Sequence, residues 1–158
     1  MIRPAVPDDL PAIRAVVDRA FAPYAARIGR PPAPMLADHA ADVAAGRVHV
    51  ETDAAGRPRG VAVFRPDGDA MLLETVAVDP DHAGRGIGRA LIAACEAEAR
   101  RLGLGAVRLY TNAAMDGARA LYPRLGYREA GRGAEDGYDR VRFVKALAAA
   151  RCASGPNR

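Results

Sequence analysis

The chain has 158 residues, half of them apolar, with 23 basic against 19 acidic side chains and a formal net charge of +4. That supplies one core, excludes a disordered chain, and predicts a single domain over residues 1–148 with a mobile tail at 149–158. Two cysteines are too few for a disulfide framework, and neither a signal peptide nor an apolar run near the roughly 20 residues of a bilayer span is visible, so a cytoplasmic protein without membrane contact is expected.

Ile2–Ala5 leans apolar and predicts a short first strand. Asp8 or Asp9 offers an N-cap, and Leu10, Ile13, Val16, Val17 and Ala20 follow at helical spacing. Ala22–Pro34 holds four prolines and a glycine and reads as a loop with at most a short helical piece at Tyr24–Ile28. Met35–Ala45 reads as a second helix stopped at Gly46. The period then changes. Val48–Thr52 alternates as a half-buried strand, Asp53–Arg57 turns, Gly60–Phe64 is a strand, Pro66–Asp69 turns, and Ala70–Val78 is the most apolar strand. Together these predict an antiparallel meander that ends at Asp79-Pro80. After GRGIG a helix runs to about Arg101, with Ile87, Leu91, Ala94, Cys95 and Leu102 as its stripe, closed by Gly103 and Gly105. Ala106–Tyr110 is a strand, Met115–Leu125 a helix, and Tyr127–Ala130 and Arg140–Ala146 are strands around a charged turn. The predicted class is α+β: a mixed, mostly antiparallel sheet of about seven strands flanked by about four helices.

The sharpest local feature is VDPDHAGRGIGRA (Val78–Ala90). A strand ends, a tight turn follows, and a helix begins. Gly84, Gly86 and Gly88 allow close backbone approach and positive φ. The helix start adds unpaired N–H groups and partial positive charge, which Arg85 and Arg89 reinforce. Such a junction suits a phosphate or pyrophosphate. It is not a Walker loop, because Gly88 is followed by Arg89-Ala90 rather than Lys-Ser/Thr. It is not a dinucleotide fingerprint either: the glycines run G-x-G-x-G and the next strand ends in Tyr110-Thr111-Asn112, without the acidic residue.

These residues resemble the GNAT superfamily of acetyl-CoA-dependent N-acetyltransferases. The family motif Gln/Arg-x-x-Gly-x-Gly/Ala lies over Ala83-Gly84-Arg85-Gly86-Ile87-Gly88. Gly86 and Gly88 match, while Ala83 stands where Gln or Arg is usual, so one side-chain contact is missing and the backbone donors remain. LETVAVDP is similar to the family's fourth strand, ALYPRLGY (Ala120–Tyr127) to its late helix and turn, and IRPAVPDDLPAI to its opening. The resemblance covers about residues 2–147.

The resemblance implies acetyl-CoA as cofactor. Its pyrophosphate would rest on the amides of Ala83, Gly84, Arg85, Gly86, Ile87 and Gly88 with Arg89 nearby, and its pantetheine arm would pair with the backbone of Val76, Ala77 and Val78. Amide formation then needs a proton acceptor, a polarised carbonyl and a proton donor for the thiolate. Glu74, a carboxylate in an otherwise apolar strand, is the candidate base; the bland alternative is a salt bridge to an arginine. Tyr122 matches the family's late-helix tyrosine and is the candidate acid; the alternative is an aromatic packed on the sheet. Asn112, at a strand end beside the expected cleft, is a displaced candidate for a cofactor contact or a bridge to a water, since the family's asparagine falls at Met115.

No metal is implied, since His39, His49 and His82 lack ligand spacing; His82 is instead a candidate cap for the glycine turn. Cys95 reads as core and Cys152 as tail. Nucleic acid is not expected as a partner: of the basic residues only Lys145 is not arginine, the arginines are interleaved with aspartate, and aromatics are few. The resemblance implies an acceptor bound between Phe21–Met35 and Arg132–Tyr138; the first of these carries Tyr24, Arg27 and Arg30, and its two arginines favour a small carboxylate-bearing amine over a polyamine. The family's habits make a homodimer an expectation as well. The competing reading is a non-catalytic acyl-CoA sensor that uses the same cleft.

Overall fold

The protein is described over residues 1–148 in a computed structural model; the expected tail, with Cys152, lies outside the described residues. In chain order the elements are β1 (Ile2–Pro4), α1 (Leu10–Ile28), α2 (Ala33–Leu36), α3 (His39–Ala44), β2 (Val48–Thr52), β3 (Pro58–Asp67), β4 (Ala70–Val78), α4 (Ile87–Arg101), β5 (Ala106–Asn112), α5 (Asp116–Arg124), β6 (Arg128–Glu135) and β7 (Tyr138–Ala146). The strands form one sheet in the order β1-β2-β3-β4-β5-β7-β6. Only β4 and β5 run parallel; α4 carries the chain back along the sheet between them, the crossover that a parallel pair requires. The α+β class and the mostly antiparallel sheet are as expected.

Each face of the sheet buries one cluster. Val48, Val50, Val61 and Val63 meet Ile13, Val16, Val17 and Phe21 of α1 on one side. On the other, Ala62, Phe64, Met71 and Leu73 meet Ile87, Leu91, Ile92, Cys95 and Ala99 of α4. The alternation within β3 sorts its residues between the two. At Gly60 an added Cβ would fall 2.6 Å from Ile87 Cγ2, so a bare backbone there lets the start of α4 lie directly on β3.

β4 does not keep its parity. Val63 pairs with Thr75 but Phe64 with Leu73, which leaves Glu74 as the extra residue of a bulge. Before it, Met71 and Leu73 face α4; after it, Val76 and Val78 do, and Ala77 turns to α1. One inserted residue therefore inverts the facing of everything that follows.

Several expectations are corrected. The first helix does not stop near Ala20 but passes Pro23 to Ile28. Pro23 and Arg19, the residue whose carbonyl loses its partner, are both exposed, so water replaces the lost bond while Phe21, Tyr24 and Ile28 extend the apolar stripe. Asp9 stands at the start of this helix, yet its carboxylate turns back to accept from Val6 N (2.8 Å) and Arg3 (2.7 Å). The second helix is two pieces, because Asp38 caps α3 by accepting from Ala41 N. Leu102 is 44% exposed; it lies at the C-terminal end of α4, and Ile92 and Ala99 take its place in the stripe. Strands β3, β6 and β7 are longer than their apolar patterns. In the last two, a hairpin closed through Asp136-Gly137 pairs charged residues that show no alternation.

Candidate active site

Beyond Leu73 and Leu109 the two parallel strands part. β4 pairs with β5 only over Ala70–Leu73 against Ala106–Leu109, yet it stays paired to β3 as far as Val78, and β5 stays paired to β7 as far as Asn112. Among the described residues the backbone of 74–78 is left with a free edge facing 110–112 across a cavity of about 360 Å³. Phe21 and Tyr24 from α1, Pro32 from the following loop, Tyr122 from α5 and Tyr138 and Arg140 from β7 complete the walls.

The free edge leads into the glycine turn. Gly84 and Gly86 have φ of +77° and +77°, and an added Cβ at either would meet nothing within 4 Å. The left-handed backbone, rather than crowding, requires glycine there. Gly86 is the N-cap of α4 and supplies no side-chain cap. From Gly84 through Arg89 no amide N–H has a hydrogen-bond partner among the described residues; the next amide, Ala90 N, donates to Gly86 O at 3.0 Å. Such a row of unpaired donors at a helix start, with the exposed Arg85 and Arg89 beside it, fits an anionic diphosphate. Arg19 of α1 holds the approach to the turn through Asp79 (2.8 Å) and Asp81 (3.1 Å). His82 makes no capping bond; the cap is Asp79, which accepts from Asp81 N.

Glu74 lines the cavity but is not an isolated carboxylate. Arg65 Nε donates to its Oε1 at 2.7 Å. The salt-bridge alternative is thus present, with a second carboxylate oxygen left over. Tyr122 is 8% exposed and also lines the cavity. Its ring packs against Tyr127 (5.6 Å) and Phe143 (5.5 Å). Burial, with a smaller contribution from Cys95, pushes its phenol up to about 12, which keeps it protonated at neutral pH. Cys95 itself is fully buried in the core as expected, its thiol also pushed up to about 12 by burial and then by Glu96.

The acceptor-side arginines are placed differently from the expectation. Arg27 donates to Ala114 O (3.4 Å). Arg30 donates to Asp136 O (3.2 Å) and lies 3.8 Å over the Tyr138 ring. Neither lines the cavity, whereas Tyr24 does. The arginine that lines it is Arg140, which sequence reasoning missed. An arginine at the start of a strand beside a charged turn carries no signal of burial; only its place two residues from Tyr138 puts it on the inner face.

A sequence profile of the Acetyltransferase (GNAT) family matches residues 13–127. The chain belongs to this family. The GNAT chain is 40% identical over 78 residues to the mycothiol acetyltransferase of Clavibacter michiganensis subsp. michiganensis, a match covering 49% of this chain and 26% of that protein; it thus spans about a quarter of the length of that relative. Among solved structures it is similar to the ribosomal-protein-S18-alanine N-acetyltransferase from Escherichia coli, at 26% identity and TM-score 0.75, over 100% of this chain and 97% of that one. The PaiA N-acetyltransferase of Thermoplasma acidophilum, solved in complex with coenzyme A, shares the fold at 16% identity and TM-score 0.76, over 93% and 98%.

Within this GNAT fold Asn112 stands at the cavity edge. Its Oδ1 accepts from Ala114 N at 2.9 Å, so that oxygen shapes the turn into α5 and only the amide NH₂ points elsewhere. Met115, where the family's asparagine falls, is buried and receives the Thr111 hydroxyl at its sulfur. Among the described residues no helix is long and apolar enough to cross a membrane.

Proposed function

We propose that this GNAT protein transfers the acetyl group of acetyl-CoA to the primary amine of a small acceptor, by direct attack of the amine on the thioester. The observation that carries this reading is the continuity, among the described residues, between a strand edge with no partner at 74–78 and a turn whose amides from Gly84 to Arg89 are unpaired. The first suits the amides of a pantetheine arm; the second suits its pyrophosphate.

Acetyl-CoA supplies an activated acyl group, so the chain's own residues have positioning and proton movement to perform. Backbone groups of Val76, Ala77 and Val78 hold the arm. The amides of the glycine turn hold the diphosphate, with Arg85 and Arg89 adding charge and the NH₂ of Asn112 reaching toward the cofactor. Glu74, through Oε2 or a water on it, takes the proton of the incoming ammonium. Tyr122, protonated at working pH, donates toward the departing sulfur.

The test has two parts. Acetyl-CoA should raise the melting temperature where ATP and NAD do not, and thiol should be released from acetyl-CoA when mixed amines are added. Stabilisation without thiol release for any amine would favour the binding-only sensor. A protein N-terminus is the other acceptor to weigh, because the structural relative at 26% identity is named for acetylating one.

A further inference from the structure

We infer that Arg140 is the seat of a carboxylate on the acceptor, so that the acetylated amine belongs to a free amino acid or a similar small amino-carboxylate; this rests on the acetyl-transfer reading above. Arg140 lines the cavity and is 8% exposed. Its guanidinium carries five N–H donors, yet among the described residues only Nη1 is engaged, in a 3.4 Å hydrogen bond to Asp136 Oδ2 and a 3.7 Å ion pair with Glu135 Oε2. Both carboxylates stand at the hairpin turn, the Asp136 side chain 80% exposed and that of Glu135 42%, where water weakens the attraction. Nε and Nη2 make no hydrogen bond among the described residues. Neither nitrogen is sealed from solvent, so both donors are open to a group that enters the cavity.

The rest of the cavity fits that ligand. The guanidinium lies 4.2 Å from the Tyr110 ring centroid and 5.4 Å from that of Tyr138. The rings orient its plane but leave the fork of donors free, and a carboxylate meets such a fork with two parallel bonds. Glu74 is the first residue past the strand fork on β4, and Tyr110 the first on β5. Glu74 and Arg140 line the same cavity as Tyr110, so an anion and a cation open onto one space. A molecule with an ammonium and a carboxylate a few bonds apart matches both.

Size favours a free amino acid over a polypeptide. At about 360 Å³ the cavity is at the small end for ligand sites. Its wall is clasped shut: Tyr138 Oη donates to Pro31 O at 2.7 Å, and Arg30 grips the same hairpin through Asp136 O and the Tyr138 ring. A peptide tail crossing on this side would have to part this clasp.

The experiment follows thiol release from acetyl-CoA with free amino acids, each beside its methyl ester, with spermidine, and with an alanine-initiated peptide amide. At least one free amino acid should be turned over, and its ester about 10–100-fold less efficiently in kcat/KM. Arg140→Gln should erase that discrimination mainly through KM, and Arg140→Lys should restore part of it. A melting shift with acetyl-CoA in each variant shows that fold and cofactor site survive; should a variant fail to fold, the acid-to-ester comparison in the unaltered protein decides alone. Esters, spermidine or the peptide turned over as fast as free amino acids overturns the carboxylate seat and leaves acetyl transfer standing. So does an Arg140→Gln variant that still prefers the acid. No turnover of any amine, with acetyl-CoA bound, overturns the seat and the transferase reading together, and no melting shift with acetyl-CoA overturns the cofactor site first.

Discussion

Glu74 and Arg65 form a 2.7 Å hydrogen-bonded ion pair across the β3–β4 bulge. The pair has a directional consequence. Arg65 occupies Oε1, so the carboxylate is oriented and one oxygen remains for the cavity. The side chains are 37% and 26% exposed, so the pair contributes little to stability and its value lies in orientation. If the carboxylate receives the ammonium proton, Glu74→Gln keeps the shape and removes the acceptor. Turnover should then fall about 100-fold, with the acetyl-CoA melting shift retained. Wild-type kcat across the pH range in that variant would remove Glu74 from the mechanism.

At Gly86 the backbone is left-handed, with φ of +77°, and its neighbours' amides are the proposed seat of the diphosphate. Gly86→Glu adds both strain, on the order of 1 kcal/mol, and a carboxylate facing a doubly charged group. Loss of the acetyl-CoA melting shift is expected, with Tm of the ligand-free protein lowered only slightly. Titration calorimetry that returned an unchanged acetyl-CoA affinity would contradict this use of the turn.

Tyr122 allows a pH argument. Its phenol is pushed from the usual 10 to about 12 by burial. As an acid it works only while protonated, so a pH–rate profile should show no falling limb from this group below pH 10. Tyr122→Phe should lower kcat at every pH with KM for acetyl-CoA nearly unchanged. The same shift has a stability sign. Between pH 10 and 12 the unfolded chain has lost this proton and the folded one has not, so the folded state loses stability as pH rises through that window. Denaturant melts at pH 9 and 11 should differ less in Tyr122→Phe than in the unaltered protein.

Asp9 gives the opposite sign. Its carboxylate is held below the usual range first by the Arg3 hydrogen bond, against burial, and further by Val6 N. Stability from this group is present above the unfolded value near 3.8 and is lost as pH falls through the lower folded value. Asp9→Asn should cost on the order of 1–2 kcal/mol at pH 7 and flatten the acid limb of a stability–pH curve. An unchanged acid limb would show that the Arg3–Asp9 pair does not contribute.

Much of the fold was legible because period and punctuation are local. Val48–Thr52 and Ala70–Val78 coincide with β2 and β4 to the residue. The glycine turn was legible because three glycines before a helical stripe have few other uses. The failures have a common cause. Pro23 reads as a break in any sequence, yet on the solvent side of a helix anchored by Phe21 and Tyr24 the lost bond goes to water. Arg27 and Arg30 read as cavity cations; instead Arg27 ties α1 to the turn before α5 and Arg30 ties the following loop to the β6–β7 hairpin.

By itself, then, the chain's pattern of periods and glycines determined the order of elements, the class and the position of the glycine turn before α4, since these depend on residues a few places apart. Tertiary structure alone decided that Glu74 is a bulge residue paired to Arg65, that β4 and β5 part after Leu73 and Leu109, and that Arg140 faces the cavity. Each depends on which strand lies beside which and in what register. Register is set by the sum of packing over the whole sheet, to which any single residue contributes too little to be read alone.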